Sequence, residues 1–135
     1  MKNIAIIPAA GDGKRFGAAT SKLFALLGDR PILAWTLQAF EKSSEVDEVM
    51  IAIRPEDQVD IDRLVSEFSF RKVTQMVSGG RTRQESVSHA LFHLKDAPEI
   101  VVIHDAARPL VRSEMIDQAV RGAREHVAIV FGLPP

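Results

Sequence analysis

Three stretches of the chain concentrate residue types that handle phosphates. The first, Pro8-Ala9-Ala10-Gly11-Asp12-Gly13-Lys14-Arg15-Phe16-Gly17, is small, glycine-rich and basic, with Lys22 close behind. Glycines let backbone N–H groups approach an anion closely, and turns of this kind form anion-binding concavities. Lys14, Arg15 and Lys22 add charge, so the segment suits a nucleoside triphosphate. The second stretch is Gly79-Gly80-Arg81-Thr82-Arg83-Gln84-Glu85-Ser86. Paired glycines ahead of a helix leave N–H groups for an anion or a base edge. Arg83 and Ser86, three apart, share a helix face and present a guanidinium and a hydroxyl to ribose, base or phosphate. Thr82 and Glu85 also fit ordinary helix capping, which leaves the glycines and Arg83 to be explained. The third stretch is His104-Asp105-Ala106-Ala107-Arg108-Pro109. A single carboxylate such as Asp105 suits a Mg²⁺ whose other ligands are water and phosphate oxygens. Arg108 can clamp an acceptor phosphate. His104 reads as packed or hydrogen-bonded rather than catalytic, and His89, His93 and His126 lack metal-ligand spacing.

Two familiar phosphate-binding motifs do not fit. A Walker A loop requires Ser or Thr after Gly-Lys, and Arg15 follows Gly13-Lys14. A dinucleotide fingerprint requires glycine where Phe16 stands, and an acidic residue after the second strand where Arg54 stands. A plain solvated loop would not need three glycines and three cations directly after a core strand.

The elements that must position these loops alternate regularly. Strands are predicted at Asn3–Pro8, Glu48–Ile53, Lys72–Val77 and Glu99–His104, with a fifth at Val127–Phe131. Helices are predicted at Pro31–Lys42, Pro55–Phe68, Thr82–Leu94 and Ser113–Glu125. On the third helix Val87, Ala90, Leu91 and Leu94 are expected to face inward. This alternation implies an α/β fold, a mostly parallel sheet with helices on both faces. Ligands of such sheets bind beyond the carboxyl ends of the strands, where the three unusual loops fall. The 135 residues are expected to form a single nucleotide-binding domain, and a Pro-Pro end directly after a core strand predicts a cut inside a longer chain.

Composition excludes several other classes. Hydrophobic residues at 46% and charged residues at 26% are globular values, which argues against disorder. The net charge of −1 argues against broad nucleic-acid binding. The absence of cysteine excludes disulfides and thiolate metal sites. The first residues do not form a secretory signal, and no apolar run is long enough to span a membrane. A soluble cytoplasmic protein with neither nucleic-acid nor membrane partners is expected.

Taken in order, PAAGDGKRFG with Lys22, GGRTRQESV and HDAARP resemble the 2-C-methyl-D-erythritol 4-phosphate cytidylyltransferase family. The first motif is common to many sugar-nucleotide transferases; the other two together are far more specific. The resemblance implies a three-layer Rossmann-like nucleotidyltransferase fold, with CTP and a polyol phosphate as partners, Mg²⁺ as cofactor and a homodimer at full length. It implies catalytic roles for Arg15 and Lys22 and a metal-binding role for Asp105. Pro8, Ala9, Ala10, Gly11 and Gly13 would line the CTP site. Gly80, Arg83 and Ser86 would contact the cytidine, and Arg108 would face the acceptor. The chain departs from the family pattern at Ser21, where proline is usual, at Leu23-Phe24, and at Arg81, where an acidic residue is common. The relatives' C-terminal half, with its acceptor-binding residues, late lysine and subunit-joining arm, has no counterpart in the 135 residues. A cytidylyltransferase for another polyol phosphate, such as ribitol 5-phosphate, and a non-catalytic CTP-binding module are the alternative readings.

Overall fold

The computed structural model describes residues 1–11 and 21–135. Its main sheet contains β1 (Asn3–Ala9), β4 (Glu48–Ile53), β5 (Val73–Ser78) and β6 (Ile100–Ile103), in the order β5-β4-β1-β6 with parallel pairing throughout. A small antiparallel pair, β2 (Leu26–Leu27) with β3 (Arg30–Pro31), precedes the first helix. The helices are α1 (Ile32–Lys42), α2 (Gln58–Glu67), α3 (Arg83–Phe92) and α4 (Ser113–Glu125). Among the described residues, no helix is long and apolar enough to cross a membrane.

Strand periodicity divides the core. Ala5, Ile7 and Ala9 of β1 and Val49, Ile51 and Ile53 of β4 point to one face, where Leu33, Leu37 and Phe40 of α1, Ile61 and Leu64 of α2, and Ile116 and Val120 of α4 cover them. Ile6 of β1, with Met50 and Ala52 of β4, points to the other face, against Ala90 of α3. Successive side chains of a strand face opposite sides, so a strand apolar at every position must be covered twice. One irregularity lies in β5. Val49 pairs with Val73 but Met50 pairs with Gln75, so Thr74 is an extra residue that bulges from the ladder.

Several boundaries and one element differ from the sequence expectation. Pro31 pairs with Leu26 and precedes α1, which starts at Ile32. Pro55–Asp57 forms a tight 3-10 turn ahead of α2. The β2–β3 pair is unanticipated; its turn is Gly28-Asp29, with Gly28 at a φ of +69° that glycine adopts without a Cβ clash. On α3 the buried positions are Ser86 and Ala90, whereas Leu91 is exposed. The two small residues let this helix press close to the sheet, which rotates Leu91 outward. The fifth strand at Val127–Phe131 is not formed. The ladder on that side ends at β6, and a strand needs both a hydrogen-bonding neighbour and cover. Val127 and Val130 are exposed there, while Ile129 lies against Gly122.

Phe40 is fully buried, and its ring meets His104 at a centroid distance of 5.5 Å, linking α1 to the turn after β6. Replacing it with alanine should lower the unfolding free energy in urea by about 3–5 kcal/mol. A loss below about 1 kcal/mol would show that this position is not part of the core.

Candidate functional site

The chain runs from β1 to β4 and β5 on one side, then returns to place β6 on the other side of β1. The strand order therefore reverses between β1 and β6, and their carboxyl ends mark the topological switch point where α/β sheets bind ligands. Ala9 and Ala10 lie at the end of β1, followed by Gly11, where a Cβ would meet nothing among the described residues. Asp105 lies just past the end of β6. The loop after β5 reaches back across the end of β4, where the Gly79 N–H donates to the Ile53 carbonyl at 2.8 Å.

Close approach explains the two glycines. A Cβ on Gly79 would lie 2.2 Å from the Ala10 Cβ and 2.9 Å from the Ser86 Oγ, so only glycine lets the β5 loop touch the β1 loop. A Cβ on Gly80 would meet the Glu85 Cβ at 2.2 Å. The turn is then braced by the first residues of α3. The Gly80 N–H donates to the Ser86 Oγ at 3.0 Å, and the Arg81 N–H donates to the Glu85 carboxylate at 2.7 Å. Thr82 caps the helix, its Oγ1 accepting from the Glu85 N–H at 3.1 Å. Glu85 reaches one residue further back than in a capping box, in which it would accept from the cap residue itself. Ser86 is buried, so its oxygen serves the glycine turn.

The turn after β6 is held mainly from its backbone. The Ala106 N–H donates to the Pro8 carbonyl at 3.4 Å, and the Thr36 Oγ1 on α1 donates to the Ala106 carbonyl at 2.8 Å. His104 Nε2 donates to the Arg108 carbonyl at 3.0 Å, and the Arg108 N–H donates to the Asp105 carbonyl at 3.2 Å. His104 is thus packed and hydrogen-bonded, as its sequence context predicts. Thr36 is the residue the sequence reading missed. Its signal is a hydroxyl on the apolar stripe of α1, fully buried between Leu33 and Phe40, where it must find an acceptor.

Asp105 gathers the charges. Arg83 Nε donates to Oδ1 at 2.6 Å and Arg108 Nε donates to Oδ2 at 3.0 Å. Partial burial pushes its carboxyl pKa up, but the hydrogen bonds and charges of Arg83 and Arg108 outweigh that and hold it below the usual aspartate value. Among the described residues, no group of three or more His, Asp or Glu could hold a metal. One carboxylate at a strand end fits a cation whose remaining ligands are water and phosphate oxygens, and it does not fit an all-protein cage.

Lys22 opens a 3-10 turn, Lys22–Phe24, that packs against α1. Ser21, buried, caps this turn by accepting from the Leu23 N–H at 3.4 Å, and Leu23 is buried in the core, which turns Lys22 toward solvent. Ser21 thus has a capping role of its own here. Gly13, Lys14 and Arg15 lie outside the described residues. The structure thus joins Ala10 to Gly79, Gly80 to Ser86, and Arg83 to Asp105 and Arg108; it shows no contact between Lys22 and these groups.

Since the folded pKa of Asp105 is depressed, its ion pairs are present above the unfolded value of about 3.9 and are lost as pH falls through the lower folded value. A carboxyl NMR titration should give a midpoint below about 3.9 for Asp105. In Arg83→Gln the midpoint should rise. A midpoint indifferent to that substitution would contradict the pairing.

The model of the IspD family, 2-C-methyl-D-erythritol 4-phosphate cytidylyltransferase, matches residues 3–134. A protein of that name from Bacillus cytotoxicus is 42% identical over 129 residues, covering 96% of this chain and 57% of the relative. A Clostridium tetani protein of the same name is 36% identical, with 99% of this chain and 54% of the relative covered. The crystal structure of 4-diphosphocytidyl-2C-methyl-D-erythritol synthase from Anaerococcus prevotii superposes with a TM-score of 0.76 at 28% identity, over 92% of this chain and 52% of that one. A CMP:2-keto-3-deoxy-manno-octonic acid synthetase, with a TM-score of 0.70 at 16% identity over 96% of this chain and 50% of that one, shares the fold. The chain spans a little over half the length of the relatives it matches. Matched along nearly its whole length by the family model, and 42% identical to one relative over 96% of its own length, it belongs to the 2-C-methyl-D-erythritol 4-phosphate cytidylyltransferase family.

Proposed function

We propose that the chain carries the CTP-binding part of a cytidylyltransferase that moves CMP from CTP to 2-C-methyl-D-erythritol 4-phosphate and releases pyrophosphate. The observation that carries this reading is that the described ends of the β1, β5 and β6 loops touch one another, Gly79 against Ala10, Ala106 on Pro8 and Arg83 on Asp105, in a chain of this family. The acceptor phosphate attacks the α-phosphorus of CTP in line, and it is already ionised, so no general base is required. Negative charge builds on the phosphoryl oxygens, and cations aimed there are the natural catalysts.

Arg15 and Lys22 meet that charge and the departing pyrophosphate. Pro8, Ala9, Ala10, Gly11 and Gly13 admit the triphosphate close to the backbone. Gly80, Arg83 and Ser86 form the wall against the cytidine, Ser86 acting through the glycine turn it braces. Arg108 faces the acceptor. Asp105 would hold Mg²⁺, which supplies charge neutralisation on the triphosphate when bound. The whole protein is proposed to work as a cytoplasmic homodimer.

The span of little more than half of each relative favours one second reading, a module that binds CTP without turnover. Pyrophosphate release from CTP and Mg²⁺ separates the two. Release should depend on 2-C-methyl-D-erythritol 4-phosphate and fail with ribitol 5-phosphate. Lys22→Ala should slow it by a factor on the order of 10²–10³, by analogy with the loss of one oxyanion donor. Release that ignores this substitution would refute the role of Lys22, and CTP binding without release would leave the binding module.

A further inference from the structure

We propose that Arg83 and Arg108 compete with a divalent cation for the Asp105 carboxylate, so that loading the carboxylate detaches both arginines. This rests on the reading of Asp105 as the metal-binding carboxylate. Both oxygens of Asp105 already accept a guanidinium N–H, one from each arginine. Arg83 comes from the first turn of α3, after β5, and Arg108 from the same turn as Asp105, so one carboxylate ties together loops from opposite edges of the sheet.

Three features make the arrangement an exchange rather than a permanent clamp. The turn that carries Asp105 is fixed by other bonds: Ala106 to Pro8, Thr36 to Ala106, and His104 to Arg108. Its shape therefore survives departure of the arginine side chains. Both arginines are largely exposed, at 58% for Arg83 and 74% for Arg108, so they can swing without opening the core. A dication on a carboxylate oxygen would also sit beside two guanidiniums, with one negative charge against four positive ones. The cation and the guanidiniums therefore exclude each other from the carboxylate. Arg83 is in this sense a positioning residue: its hydrogen bond holds the carboxylate oriented until the cation arrives.

The test is Mn²⁺ binding to the whole chain without nucleotide, followed by water-proton relaxation. Arg83→Gln should tighten Mn²⁺ about 2- to 5-fold, the range that exposed ion pairs contribute. Arg83→Gln with Arg108→Gln should tighten it further, and Asp105→Asn should abolish it. Arg81→Gln, which removes a nearby charge not paired with Asp105, should leave the affinity unchanged. In parallel, the Arg83 Nε–H resonance should lose its carboxylate-bound shift on saturation with Mg²⁺. The proposal is overturned if Arg83→Gln weakens or does not change Mn²⁺ binding, if Arg81→Gln matches its effect, if the Arg83 resonance stays put at saturation, or if neither the parent chain nor the double variant binds the cation. Because no nucleotide is present, failure here is distinct from failure of cytidylyl transfer, which CTP-dependent pyrophosphate release reports.

Discussion

The structure depends on β1 being hydrogen-bonded on both sides, to β4 and to β6, with its strand direction shared by both neighbours. A parallel strand so placed must be apolar on both faces, and Ile4 to Ile7 meet that demand without a polar interruption. The same placement forces the chain to leave β1 on one side and return on the other. The strand order then reverses beside β1, and the topology, rather than any single side chain, sets where the loops after β1, β5 and β6 come together.

Within that frame, backbone geometry and charge have separate tasks. Gly79 and Gly80 bring the β5 loop against Ala10 and Glu85 at distances that leave no room for a Cβ. Thr36 and His104 hold the turn after β6 from α1 and from within, so Asp105 is fixed before any cation is considered. The Arg83–Asp105–Arg108 cluster is exposed enough that its pairs contribute only about 0–1 kcal/mol each to stability. Its value lies in where it holds charge, at the point where the loops from both sides of β1 meet.

Much of this arrangement is legible in the amino-acid sequence. The apolar runs expected as strands at Asn3–Pro8 and Glu48–Ile53 form them, the first extended by one residue to Ala9, Ser113–Glu125 is a helix to the residue, and the three loops rich in glycine, arginine and aspartate begin at carboxyl ends of strands. What was not legible has physical reasons. Leu91 fits the inward stripe of α3 by periodicity, but the small side chains of Ser86 and Ala90 set the helix rotation. Gly28-Asp29 between Leu27 and Arg30 is a two-residue hairpin signal that is easily lost in so short a pair. Val127–Phe131 has the composition of a buried strand, but composition cannot supply the neighbouring ladder a strand requires. Thr36 could have been singled out by its hydroxyl, yet its acceptor, the Ala106 carbonyl, is 70 positions away.

The proposed function requires that residues 1–135 bind a nucleoside triphosphate selectively for cytidine at the strand ends beside β1. The most direct measurement is a calorimetric titration of this chain with CTP and with ATP, each with Mg²⁺. The account predicts that CTP binds at least about tenfold more tightly, a difference of about 1.4 kcal/mol. Equal affinities, or binding of neither nucleotide, would contradict it.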